Sequence, residues 1–139
     1  MENPVLNIVC TVLLVAAGLL NLVPVIGAQS VDQLTSLYGL SIESPDLQVL
    51  MRHRAIMLGL IGALMLIAAF RPSLQVLAAS IGFVSMSSFV ILAHMVGETG
   101  AELSRVVTAD IAGSIAALAV LLIAAWQGRE YQDSQIPDS

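Results

Sequence analysis

The sequence predicts an all-α integral membrane protein, an antiparallel bundle of four membrane-spanning helices with a short interfacial helix between the first two. Hydrophobic residues make up 58% of the 139 residues and charged residues only 11%, whereas a soluble domain has roughly 25% charged residues. Four apolar runs each approach the ~20 residues that cross a bilayer core of about 30 Å. These runs use most of the chain and leave no room for a separate catalytic domain.

The first span is predicted at about residues 5–27, a stretch without charge. Pro24 near its end is expected to kink or terminate the helix. The polar residues of this span, with one glycine, fall on one side at helical spacing, so this side should face other helices. They are Asn7, Thr11, Gly18 and Asn21. Because Glu2 stands where a signal peptide would be basic, we expect a retained span.

The polar stretch of residues 30–44 predicts the short interfacial helix. Ser30 and Gln33 match a capping box at its start, and Gly39 can cap its end. The apolar face between these positions consists of Val31, Leu34, Leu37 and Tyr38. Ser44, followed by a first-turn proline and an acidic residue, marks the start of the second span.

The remaining spans are predicted at about residues 46–70, 73–96 and 101–127. Only Arg71 and Pro72 separate the second span from the third, so these two helices must pack antiparallel. Gly59 and Gly62 belong to a seam of small residues that lets helices approach closely in lipid. The fourth span carries a similar seam of Ala109, Gly113 and Ala117. Residues 128–139 predict a disordered acidic tail.

The up-down order of the spans brings most of their ionisable groups to one end of the bundle. An ionisable side chain at mid-bilayer costs roughly 2.5–3.5 kcal/mol, and less near the interface. One interpretation is interfacial anchoring with pairing between helices, in which Asp110 pairs with Arg52 or Arg54. The other is a ligand-binding pocket closed by residues 31–38, for an anionic or amphipathic molecule such as a quinone or a lipid headgroup. The candidate ligand-binding residues are Asn21, Arg52, His53, Arg54, His94, Glu98, Arg105 and Asp110.

The sequence assigns no catalytic residue, metal ion or cofactor, and we expect a non-enzymatic protein. His53 and His94 could ligate a haem iron from both sides, but hydrogen-bonded or solvent-facing histidines are more common. A quinone-linked oxidoreductase or electron-transfer subunit is one alternative. A small proton-coupled transporter, with Asp110 or Glu98 as carrier and His94 as relay, is another. The first span has no acidic residue, which disfavours the transporter.

The charge pattern also limits the partners. The basic residues are five arginines with no lysine, so the chain has no polybasic run for nucleic acid or anionic lipid. The single cysteine, Cys10, forms neither a disulfide nor a Cys-x-x-Cys redox pair within the chain. The expected partners are the lipid bilayer and, through the small-residue seams, a homo-oligomer or a larger membrane complex.

Four segments carry a family resemblance: Leu37-Tyr-Gly-Leu, Leu50-Met-Arg-His-Arg-Ala-Ile-Met-Leu-Gly through Ala69-Phe-Arg-Pro, Ser85-Met-Ser-Ser-Phe and Ala109-Asp-Ile-Ala-Gly. Together they resemble small four-span bacterial inner-membrane proteins of the broad DoxX-like type, over most of residues 5–126. Arg54 with the Gly59 and Gly62 region is the best match. The resemblance implies a bacterial cytoplasmic membrane and, from some relatives, a link to quinone oxidases. It transfers no catalytic residues.

The arginines give the expected orientation. Arg71 and Arg129 lie at one end, and the arginines at the other end count less if they are paired within the bundle. We therefore expect both termini in the cytoplasm and the polar end facing the periplasm. The expected function is a small-molecule-binding, lipid-binding or accessory subunit.

Overall fold

The computed structural model describes residues 3–133, and it contains five helices and no strand within that range. The helices are α1 (Pro4–Gly27), α2 (Val31–Tyr38), α3 (Pro45–Ala69), α4 (Pro72–Val96) and α5 (Ala101–Asp133). The prediction of an all-α bundle with four long apolar helices and one short helix is confirmed. The starts of the long helices lie within one residue of the predicted positions.

The predicted helix-capping residues act as expected. The Ser30 hydroxyl accepts a hydrogen bond from the Gln33 amide at 3.3 Å, which starts α2. Gly39 ends α2 with a φ of +65°, a left-handed conformation that favours glycine. The Ser44 hydroxyl accepts from the Leu47 amide at 3.4 Å at the start of α3. These caps fix where the chain turns between α1 and α3.

The end of α5 differs from the prediction. The helix continues through Gly128 to Asp133, six residues beyond the expected end at Gln127. Leaving the apolar layer does not require a helix to stop, and Arg, Glu and Gln in this stretch have good helix propensity. The disordered tail predicted from residue 128 is therefore wrong for 128–133, and residues 134–139 lie outside the described residues.

The four long helices pack as a ring. α1 packs chiefly against α3 and α4 chiefly against α5, while α1–α5 and α3–α4 contacts close the ring. α3 and α5 therefore stand diagonally across the bundle. The Thr11 hydroxyl near the start of α1 donates to the Ala69 carbonyl at the end of α3, 2.9 Å away, so these helices run antiparallel. The end of α1, the start of α3, the end of α4 and the start of α5 meet at one end, which we call the cavity end.

The backbones of α1 and α3 approach closely where Gly18 faces Gly62. A Cβ atom added to Gly62 would lie 2.6 Å from the Gly18 carbonyl oxygen, and one added to Gly18 would lie 3.0 Å from the Gly62 carbonyl oxygen. Only glycine permits this backbone contact. The predicted seam thus packs against the first span. Because hydrophobic burial does not drive helices together in lipid, close packing through small residues takes its place.

Two apolar clusters stabilise the bundle. The larger one fills the middle and the opposite end, with Leu14, Met65 and Met86 essentially inaccessible to solvent. The smaller one lies at the cavity end, where Leu34 and Tyr38 of α2 pack with Ile42 against α3 and α5. α2 is therefore anchored across the end of the bundle by buried side chains.

The outer surface of the bundle is apolar. α1, α3, α4 and α5 each have the length and hydropathy to cross a membrane. Large side chains such as Leu60, Val84 and Leu122 are more than half exposed on these helices. Patches of this kind are costly against water and are the normal surface against lipid. Four such helices with an apolar outer surface are typical of a multi-pass membrane protein.

Candidate functional site

Three of the eight predicted ligand-binding residues line one cavity at the cavity end. This inner cavity has a volume of about 90 Å³ and lies between α1, α2, α3 and α5. Its walls include Leu20, Asn21, Pro24, Tyr38, Arg54 and Asp110. Leu37 and Tyr38 belong to the segment that was predicted to close such a pocket. The inner cavity combines an apolar wall with four different hydrogen-bonding side chains.

Arg54 is the cation of the inner cavity. Its guanidinium carbon lies 5.2 Å from the centroid of the Tyr38 ring and 4.4 Å from that of the Phe89 ring. Cation–π contacts at these distances contribute about 0.5–2 kcal/mol each. Among the side chains that the structure describes, no carboxylate oxygen lies within 4.0 Å of the Arg54 nitrogens, and none accepts a hydrogen bond from them. The rings hold the guanidinium, while its N–H groups are available to a ligand.

Asp110 approaches Arg54 from the diagonally opposite helix. Both residues line the inner cavity, and their charges are close enough to interact. Asp110 was predicted to pair with Arg52 or Arg54, and it does interact electrostatically with Arg54. The two do not form a direct ion pair, because no nitrogen of either arginine lies within 4.0 Å of the carboxylate. The diagonal arrangement of α3 and α5 leaves the cavity between the two groups. Arg52 is half-buried instead, and its Nε has no partner among the described residues.

Asn21 forms the floor of the inner cavity and is only 4% exposed. Its amide nitrogen donates to the Ala17 carbonyl at 2.9 Å and contacts the sulfur of Met86 at 3.5 Å. Sulfur is a weak acceptor, so this contact orients the Asn21 amide but contributes little hydrogen-bond energy. Within the described part of the chain the carbonyl oxygen of the Asn21 amide has no donor. It is the remaining hydrogen-bonding atom of Asn21 at the cavity.

Pro24 adds a backbone acceptor beside Asn21. α1 continues through Pro24 to Gly27, so the proline does not terminate the helix. A proline has no N–H, and the carbonyl four residues earlier loses its normal hydrogen bond. That carbonyl belongs to Leu20, which also lines the inner cavity.

Tyr38 provides a neutral hydroxyl at the cavity. The side chain is 3% exposed. Burial raises the pKa of Tyr38, the nearby Arg54 lowers it, and Asp110 raises it, with a net upward shift. The phenol therefore stays protonated at neutral pH and can donate a hydrogen bond. The sequence analysis placed Tyr38 in the segment expected to close the pocket but did not count it among the ligand-binding residues.

The other five predicted residues do not line the inner cavity. Glu98 and His94 lie at a separate groove of about 560 Å³ at the turn between α4 and α5. His94 is exposed, and its Nδ1 lies 3.1 Å from the Val90 carbonyl oxygen. His53 and Arg105 are exposed, and Arg52 is described above. Thus His53 and His94 do not converge on the inner cavity. The described residues contain no group of three or more His, Cys, Asp or Glu that could hold a metal ion.

No model of a known protein family matches the chain, and no curated protein or solved structure matches it either. The fold defines the class of the protein only as a helical bundle with four helices that are long and apolar enough to cross a membrane. Its distinguishing feature is a cavity at one end that holds an arginine without a hydrogen-bonding partner among the described residues.

Proposed function

We propose that this protein binds a small amphipathic molecule, whose polar head occupies the inner cavity, and acts as a non-enzymatic binding or accessory subunit in its membrane. The observation that carries the proposal is the Arg54 guanidinium, which aromatic rings hold at the cavity while no described side chain accepts its hydrogen bonds. A hydrogen bond to a charged group contributes about 1.5–3 kcal/mol. A ligand oxygen would supply that bond.

The size and charge of the inner cavity limit the head. A volume of about 90 Å³ corresponds to roughly three waters at the ~30 Å³ that each occupies in the liquid, so the head must be compact. Asp110 opposes the positive charge of Arg54 at the same cavity, so a multiply charged anion would be repelled by the carboxylate. The site therefore favours a neutral or singly charged head with acceptor oxygens for Arg54 and Tyr38. A hydroxyl on the same head could donate to Asp110 or to the Asn21 oxygen.

A quinone ring is one head that meets these requirements. Its two carbonyl oxygens could accept from Arg54 and Tyr38, and Leu20, Pro24 and Leu58 offer apolar surface at the same cavity. This match supports a quinone-linked subunit as the second candidate function.

Mass spectrometry of molecules released from gently purified protein tests the proposal. We expect a specific amphipathic species with the native protein, and at least about tenfold less of it with Arg54→Ala, the equivalent of one charged hydrogen bond. Arg105→Ala is the matched control, because Arg105 is exposed and does not line the inner cavity. Identical, lipid-only profiles from all three proteins would contradict the proposal.

We further propose a DoxX-like protein of a bacterial cytoplasmic membrane, with both termini in the cytoplasm and the cavity end facing the periplasm. Single cysteines at Ser36 and Ser134, in a Cys10→Ser background, test this orientation. We expect a membrane-impermeant thiol reagent to label Ser36→Cys in intact cells, since Ser36 is exposed on α2. Ser134→Cys should be labelled only after permeabilisation. The reverse pattern would overturn the orientation.

A further inference from the structure

A second cavity adjoins the inner cavity on the other side of Arg54 and Asp110. It has a volume of about 240 Å³ and lies between α3, α4 and α5; we call it the α3–α4 groove. Arg54, Leu58 and Asp110 line both the groove and the inner cavity. Because α3 and α5 are diagonal neighbours, these side chains reach toward the middle of the bundle from opposite corners. These shared residues place the two spaces next to each other.

The remaining walls of the α3–α4 groove are mainly apolar. Met57, Ile61, Phe89 and Leu92 line it. Met57 is 43% exposed and Leu92 57% exposed on the outer surface of the bundle, so the groove opens on the lipid-facing side. Ser85 and Ser88 also line it, and the Ser88 hydroxyl donates to the Ser85 carbonyl at 2.8 Å. This hydrogen bond uses the hydroxyl proton of Ser88, so Ser88 does not need a ligand atom as its acceptor.

We infer that the α3–α4 groove holds the hydrocarbon tail of the molecule whose head meets Arg54, and that this molecule reaches its site laterally from the bilayer. The inference rests on the proposed function. The inner cavity, at about 90 Å³, is too small for a long tail, whereas the groove is the larger neighbouring space, at about 240 Å³, and opens on the outer surface of the bundle. A single groove of about 240 Å³ favours an amphiphile with one hydrocarbon chain. Phe89, which touches both the groove and the guanidinium, borders the passage.

Photolabelling of the full-length protein in nanodiscs tests this inference. The probe is octadecanoic acid with a diazirine near its methyl end, and labelled residues are mapped by mass spectrometry. We expect labelling of Met57, Ile61 and Leu92 about tenfold above that of Ile115 and Leu122, which are exposed apolar residues of α5 that do not line the groove. Ser88→Phe should fill the groove and reduce its labelling about tenfold. Val84→Phe, on the exposed surface of α4, should not.

The outcomes separate this inference from the proposed function. Groove labelling that falls with both Ser88→Phe and Arg54→Ala supports both. If Leu20 and Val23 at the inner cavity are labelled instead, and Arg54→Ala abolishes that labelling, the proposed function stands and the groove assignment is overturned. Uniform labelling of all exposed apolar residues, unchanged by Arg54→Ala, overturns both.

Discussion

Reversing the charge of Arg54 is expected to destabilise the bundle by about 3 kcal/mol, the lower end of the range for breaking a buried charge pair. Arg54→Asp would place a second carboxylate across the inner cavity from Asp110, and it would remove the guanidinium contacts to the Tyr38 and Phe89 rings. We take the lower end because Arg54 and Asp110 are not in direct contact. Denaturation of the purified protein in mixed micelles, followed by circular dichroism, measures the loss.

Two further variants identify the cause of this loss. Adding Asp110→Asn to Arg54→Asp removes the repulsion without changing the shape of the side chain. We therefore expect Asp110→Asn to stabilise the Arg54→Asp protein, and to do so by more than it changes the stability of the native protein. Arg105→Asp reverses an exposed charge and should alter stability by no more than about 0.5 kcal/mol. A loss with Arg54→Asp that Asp110→Asn does not reduce would mean that the two residues do not interact across the cavity.

Adding one methyl group at Gly62 is expected to cost about 1–3 kcal/mol, the range for overpacking. The new Cβ of Gly62→Ala would meet the Gly18 carbonyl oxygen at 2.6 Å and the Asn21 Cβ at 3.2 Å. Backbone atoms cannot rotate away, so α1 and α3 would have to separate. The same denaturation experiment measures the effect.

Gly128→Ala is the matched control for Gly62→Ala. A Cβ at Gly128 meets nothing within 4 Å, and alanine is favoured over glycine in a helix by up to about 1 kcal/mol. We therefore expect unchanged or raised stability. A Gly62→Ala protein as stable as Gly128→Ala would show that the Gly18–Gly62 contact does not define the α1–α3 packing.

Most of the fold could be predicted because its determinants are local. The apolar runs are read directly from hydropathy, and Ser30, Gly39 and Ser44 act on amides or carbonyls within a few residues. The exception is the end of α5. Polarity after Gln127 indicates where the chain leaves the apolar layer, but a helix can continue in water when its residues favour it.

The site was predicted only in part because it depends on how the helices face one another. Asn21, Arg54 and Asp110 could be predicted to face the inside of the bundle because polar groups within apolar helices avoid lipid, and all three line the inner cavity. His94 and Glu98 belong to the same end of the bundle as these residues but lie at the α4–α5 turn. The position of a residue along its helix does not show which way its side chain faces. The Phe89 ring looked like any apolar residue of α4. Its contact with Arg54 follows from the register between α3 and α4, which no local pattern specifies.

The most direct test is an experimental structure of the protein in nanodiscs made from its native membrane lipids. We expect non-protein density with an atom about 2.7–3.2 Å from the Arg54 nitrogens, a normal hydrogen-bond distance. Arg54 should stay over the Tyr38 and Phe89 rings, with Asp110 across the cavity from it. A direct Arg54–Asp110 ion pair that closes the inner cavity, with no other density beside it, would contradict the proposed site.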